Sequence, residues 1–135
     1  MKIDNSKHDA NGKLKNGVFK EFFKDGSLCS VGRFVDGLKT GLWKYYLLNG
    51  RLKAVGKYKD GKLTGKWTWY RDNGELMQTG SFDAAEQKSG VWKRYYPNGQ
   101  LMDEGKFISG KKVGEWRVYD SKGKLTRTTT HKTTK

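Results

Sequence analysis

At 135 residues the chain is one domain's worth, and only 34% of it is hydrophobic, which argues against a compact aliphatic core. Five Trp, seven Tyr and six Phe carry most of the apolar area and favour a thin structure that packs rings over backbone. The net charge of +14 points to an anionic partner (nucleic acid, anionic lipid or an acidic protein), although lysine-rich edges also protect sheets from aggregation.

Cys29 stands alone, which excludes an intrachain disulfide and a cysteine metal cluster; its expected role is that of a small buried hydrophobe. The opening MKIDNSKHDANGK has no apolar stretch of the kind a secretory leader needs, and no run approaches membrane-spanning length. Cytoplasmic residence is the resulting expectation.

In chain order, residues 1–16 read as an N-terminal cap, and a repeat then begins. Gly17, Gly41, Gly65, Gly90 and Gly114 recur at a spacing of about 24 residues. Two places after each comes a ring: Phe19, Trp43, Trp67, Trp92, Trp116. Five places after comes another: Phe22, Tyr46, Tyr70, Tyr95, Tyr119. A turn glycine and then a leucine follow in every unit, as in Gly50 and Leu52. Four units continue with Gly32, Gly56, Gly80 or Gly105, each two places before Phe34, Tyr58, Phe82 or Phe107. One template places every glycine except Gly12. The units are 17–40, 41–64, 65–89, 90–113 and a partial 114–125. The third departs from the template at 83-DAAEQKS-89, where one residue is inserted and a glycine is missing.

Each unit reads as two short strands about a tight turn. Asp25-Gly26, Asn49-Gly50, Asn73-Gly74 and Asn98-Gly99 are strong signals for two-residue type I′ turns, and Lys122-Gly123 is a weaker one. A two-residue turn at Asn49-Gly50 sets Trp43 opposite Gly56 and Gly41 opposite Tyr58. The same spacing pairs Phe19 with Gly32, Trp67 with Gly80 and Trp92 with Gly105, so that each ring covers a neighbouring glycine. Pro97 has no N–H to close such a turn, and a bulged Pro97-Asn98-Gly99 turn would shift that register by one. No helical periodicity appears. The fold expected is all-β: an elongated, single-layer antiparallel sheet of about ten strands, extending on the order of 50 Å. The tail 126–135 has nothing to bury and is expected to be flexible, or at most an added edge strand.

The unit G-x-W-x-x-Y-x-x-x-G-x-L-x-x-x-G-x-[YF]-x-x-G, carried for instance by Gly65-Lys66-Trp67, Tyr70, Gly74, Leu76, Gly80 and Phe82, resembles the MORN repeat variant. The resemblance covers residues 17–125. It implies a sheet of tandem hairpins and a binding role. Bacterial proteins built only of this variant are commonly labelled antitoxin components of toxin–antitoxin systems, and MORN-type proteins more broadly act as scaffolds, dimerisation modules or membrane adaptors. The resemblance supplies no catalytic residues.

The residues themselves show no chemistry either. His8 and His131 lack ligand or triad neighbours. Asp103 and Glu104 are adjacent, so in a strand they point to opposite faces as a solvated pair, which is wrong for paired-carboxylate work. The run 61-GKLTGK-66 is one residue short of a phosphate loop, with Trp67 where a hydroxyl should follow. No enzyme activity, cofactor, metal or small-molecule substrate is expected.

Charge is concentrated in two units. The second sets Lys44, Arg51, Lys53, Lys57, Lys59 and Lys62 against Asp60 alone. The fourth adds Lys93, Arg94, Lys106, Lys111 and Lys112. The candidate partner-binding residues are therefore Lys44, Arg51, Lys53, Lys57, Lys59, Lys93, Arg94 and Lys106, with the acidic third unit left out. The reading is a non-catalytic module that binds and neutralises an acidic protein, antitoxin-like or inhibitor-like. An adaptor at an anionic membrane and a nucleic-acid binder are the alternatives.

Overall fold

The computed structural model describes residues 6–132. Ten strands follow one another: β1 (Gly17–Phe22), β2 (Leu28–Val35), β3 (Leu38–Tyr46), β4 (Leu52–Lys59), β5 (Lys62–Tyr70), β6 (Leu76–Phe82), β7 (Lys88–Tyr95), β8 (Leu101–Ile108), β9 (Lys111–Tyr119) and β10 (Leu125–His131). They form one antiparallel sheet in sequence order, so every strand pairs with its chain neighbours. There is no second layer and no helix among the described residues.

Two kinds of turn alternate along the sheet, and they are the reverse of the sequence expectation. The two-residue type I′ turns are the connectors: Asp36-Gly37, Asp60-Gly61 and Ser109-Gly110 all have positive φ at both positions. The Asn-Gly turns are one residue longer. Leu47 N–H donates to the Arg51 carbonyl at 2.8 Å and Gly50 N–H to Leu47 at 2.9 Å. Gly50 is left-handed at φ 86°, whereas Asn49 is not. Asn49 serves a different purpose. Its Oδ1 accepts from Arg51 N–H at 2.9 Å, and its amide donates to the carbonyl of Asp72 in the next turn at 3.1 Å. Asn73 and Asn98 reach the carbonyls of Pro97 and Ser121 in the same way. In the fifth turn Asp120 Oδ1 accepts from Lys122 and Lys124 instead.

The expected strand pairing nevertheless holds. A register irregularity between Tyr45 and Tyr46 offsets the extra loop residue, so Trp43 faces Gly56 and Gly41 faces Tyr58. Pro97 obstructs nothing. It takes the first central position of its turn, where its fixed φ suits a type I geometry, and Gly99 N–H closes onto Tyr96 at 2.9 Å. Every hairpin has this bulged form, so the fourth keeps the common register.

The tryptophans do not cover the glycines they face. Gly32 on β2 stands opposite three residues of β3, Gly41 to Trp43, because Val31 pairs with Lys44 and Arg33 with Thr40. That wide bulge turns the Trp43 ring back over Gly32 of the preceding hairpin. A Cβ on Gly32 would lie 2.0 Å from the indole. Trp67 covers Gly56, Trp92 covers Gly80 and Trp116 covers Gly105 in the same way. Each indole N–H donates across the groove, as from Trp67 to the Lys57 carbonyl at 3.0 Å. A ring from the preceding hairpin wedges edge-on beside each indole: Phe34, Tyr58, Phe82 and Phe107 lie 5.1 to 5.3 Å from Trp43, Trp67, Trp92 and Trp116. Trp43 and Trp67 are thereby 1% and 2% exposed without any second layer. Tyr46, Tyr70, Tyr95 and Tyr119 pair with Leu52, Leu76, Leu101 and Leu125 at the necks of the hairpin turns.

At the ends of the array the rule changes. Phe19 takes the Trp place on β1, and Thr129 takes the glycine place opposite Trp116.

Two further expectations need comment, and the third-unit insertion takes a defined form. Of the two outcomes expected for the tail, the added edge strand holds over residues 125–131; β-branched threonines suit a strand, and His131 closes edge-on against Trp116 at 6.3 Å. The expected tail's last residues, 133–135, lie outside the described residues. Cys29 is only half-buried, as the unpaired residue at the irregularity beside the first hairpin turn. The third-unit insertion has a defined turn: Asp83 to Gln87 closes with Glu86 at φ 64°, and the Glu86 carboxylate accepts from Leu63 N–H at 2.9 Å.

Candidate functional site

Strand alternation divides the side chains between two faces. On the aromatic face the indoles, the wedging rings, Tyr45 and Trp69 form a continuous run from Phe19 to Trp116. Lysines lie over it. Lys15, Lys39, Lys88 and Lys112 each stand two residues before a unit's first glycine, each ammonium within 4.6 to 4.9 Å of a ring centroid. Leu63, two residues before Gly65, stands there in place of a lysine. Lys39 Nζ also donates to the Tyr45 hydroxyl at 3.0 Å, which shares a 2.7 Å hydrogen bond with Tyr58. Burial holds both phenols above the ordinary tyrosine pKa, Tyr58 furthest, because Tyr45 adds to the effect there.

The opposite face is open. Lys44, Lys57 and Lys59 project from β3 and β4, and Lys93 and Lys106 from β7 and β8. Pairs such as Leu42 with Lys57 and Val91 with Lys106 interleave aliphatic and basic side chains. Val18, Leu42 and Val91 are all more than half exposed there. Five of the eight sequence candidates thus share one surface.

The other three do not join it. Lys53 is the extra residue at the irregularity between Leu52 and Ala54 and lines a cavity with Trp69 of the aromatic face. Arg51 sits in a hairpin turn, with its guanidinium against Gly74 of the next turn and 3.5 Å from the Asp72 carbonyl. Arg94 is on the aromatic face, where it lies directly across from Asp103 and forms a salt bridge through Nε and Nη2. That hydrogen bonding raises the Arg94 pKa further, beyond any physiological titration. Asp103 is accordingly 8% exposed and not the solvated residue expected from the sequence. Its neighbour Glu104 does face the other way, accepting from the Tyr119 hydroxyl at 3.1 Å.

Of the open-face residues missed by summing charge per unit, Arg33 lies beside Leu42 and Lys44, and another is in the third unit. The acidic residues of the third unit sit in its turns, Asp72 and Glu75 in one and Asp83 and Glu86 in the other. Its open face carries Lys66 among hydroxyl side chains, so no acidic block divides the second unit from the fourth. Assigning residues to faces before summing would have found both. Gly61 and Gly65, which gave 61–66 its phosphate-loop look, are a turn position and a strand bulge. No cluster of three metal-ligating side chains exists among the described residues.

The family model described as the MORN repeat variant matches residues 39–60, 63–84, 88–108 and 112–133. The chain belongs to that family. The first hairpin, which has Phe19 in the tryptophan place, falls outside the matched segments but keeps the register. No curated protein matches the chain significantly. Among solved structures, an S. aureus TarM mutant in complex with fondaparinux, alpha-GlcNAc-glycerol and UDP overlaps at a TM-score of 0.45 and 11% identity. The overlap covers 72% of this chain and 19% of that one, so the chain spans about a fifth of that protein's length. Membership of the MORN repeat variant family places the chain among repeat modules that bind proteins or membranes.

Proposed function

We propose that the chain is a non-catalytic, cytoplasmic binding module of the antitoxin or inhibitor type, whose open face docks on an acidic protein. The observation that supports this reading is the segregation of the faces. Most of the aromatic face is occupied by its own packing, whereas the open face presents Lys44, Lys57, Lys59, Lys66, Lys93 and Lys106 around exposed Val18, Leu42 and Val91. Aliphatic contacts flanked by unpaired lysines suit a protein surface with carboxylates around an apolar centre. Lys57→Glu combined with Lys59→Glu tests it. Wild type used as bait in its native cell should retain a protein that the variant loses, and the association rate should fall steeply with salt for wild type and weakly for the variant. Equal binding by both would leave the charge as a solubility device. Retention of nuclease-sensitive material, or of anionic vesicles, in place of protein would move the reading to one of the alternatives.

A further inference from the structure

On the aromatic face, the space between successive indoles is filled by a third ring in the middle of the array. Tyr45 lies 6.1 Å from Trp43 and 6.4 Å from Trp67, and Trp69 lies 6.0 Å from Trp67 and 5.7 Å from Trp92. Each of these rings sits two residues after its own tryptophan. In the next unit that place belongs to Arg94, and in the last to Val118. The strand opposite changes with it: Ala54 faces Tyr45, whereas Asp103 faces Arg94. Where the third ring is lost, a cavity of about 280 Å³ opens, lined by Lys88, Arg94, Asp103 and Lys112 above Trp92 and Trp116.

Three basic side chains line this cavity against one carboxylate, leaving two net positive charges. Asp103 engages Nε and Nη2 of Arg94, which fixes the guanidinium and leaves Nη1 for another oxyanion. Lys88 lies 4.8 Å from the Trp92 ring and Lys112 4.6 Å from Trp116; neither forms an ion pair among the described residues. Like charges gathered beside low-dielectric rings repel one another, and a bound anion relieves that repulsion.

We propose that this cavity binds a small phosphate monoester, its dianion held among Lys88, Arg94 and Lys112 and its organic part against the ring edges. Two net charges match a dianion better than a carboxylate. The volume falls just below the roughly 300 Å³ at which pockets for drug-sized ligands begin, so the organic part is small, on the scale of one ring. This site is on the face opposite the proposed protein-docking surface and stands or falls separately from it.

The test uses phenyl phosphate as the probe, followed through the indole N–H resonances of Trp92 and Trp116 with Trp43 as the distant reference. Arg94→Tyr combined with Asp103→Ala rebuilds the Tyr45–Ala54 arrangement of the second unit and leaves the net charge unchanged. Wild type should saturate at millimolar phenyl phosphate or below, with shifts confined to Trp92 and Trp116, and should bind inorganic phosphate more weakly. The double variant should lose about tenfold or more in affinity. Lys112→Ala alters an exposed side chain and should weaken binding several-fold even if the double variant folds poorly. Absence of saturation in wild type would overturn the proposal. So would undiminished affinity in both variants, since the overall +14 charge would then account for the binding.

Discussion

The two faces of this sheet have similar strands and opposite constraints. On one, every indole has a fixed address: a glycine beneath, a carbonyl for its N–H, a ring at its edge and, in three of the four cases, a lysine above. On the other, lysines and aliphatics project side by side with few specified contacts. A one-layer protein lacks an interior, and it solves the problem by making one surface behave as a core. Conserving stability then restricts substitution on that face and leaves the other free to be shaped by binding.

The sharpest way to break this contrast is Gly56→Ala. The new methyl would stand 2.0 Å from the Trp67 ring, so the indole must leave its groove. The expected cost is roughly 3–5 kcal/mol, as large as deleting a buried aromatic outright, measured by denaturant unfolding. A cost below about 1 kcal/mol would mean that the groove is not what holds the ring.

Trp67→Ala should come next and should exceed Trp116→Ala. Trp67 packs against Tyr45, Tyr58 and Trp69, whereas Trp116 meets Phe107 and His131 at the end of the array. Equal melting shifts would contradict a nearest-neighbour account. Asn73→Ala removes both a turn bond and the amide link to the Pro97 carbonyl, for about 1 kcal/mol.

Alkaline titration probes the aromatic face more gently. The Tyr45 and Tyr58 pKa values are raised on folding, so their contribution is intact below the unfolded value of 10.0 and is lost as pH rises from there through the folded values. Spectrophotometric titration should find these two phenols resisting ionisation until the sheet opens, and Tyr58→Phe should flatten the alkaline loss of stability. At the small end, Lys57→Glu with Lys59→Glu should change stability by only about 0.5 kcal/mol. A large loss would mean the open face is not open.

Much of this was legible in the sequence because the repeat averages out local ambiguity. Five copies fix the strand order, and the spacing of Trp43 and Gly56 fixes the hairpin register even though the turn between them was misassigned. The compensation is physical: an extra loop residue and a bulge cancel, leaving the pairing unchanged. The destination of the rings was not legible. A wide bulge at Gly41 decides whether Trp43 lies over Gly56 or Gly32, and a glycine every few residues permits both. The candidate site was half legible for a related reason. Charge counts do not know about faces, so Arg94 was included, Lys66 was left out and Asp103 was taken for a solvated residue.

The offset between ring and glycine gives the array a direction. Every tryptophan is housed by the hairpin before it, so each unit is a plug for its predecessor and a socket for its successor. Among the described residues the ends respect this: Phe19 takes the plug's place on the first strand, and Thr129 fills the place where a socket would otherwise open. Recombination that removes or duplicates a whole period between 41 and 113 would keep plugs and sockets matched, and array length could drift over evolutionary time without redesign. Extension past β10 is a different matter. It would first require threonine to become glycine at 129, so a single codon acts as the stop on growth by this rule.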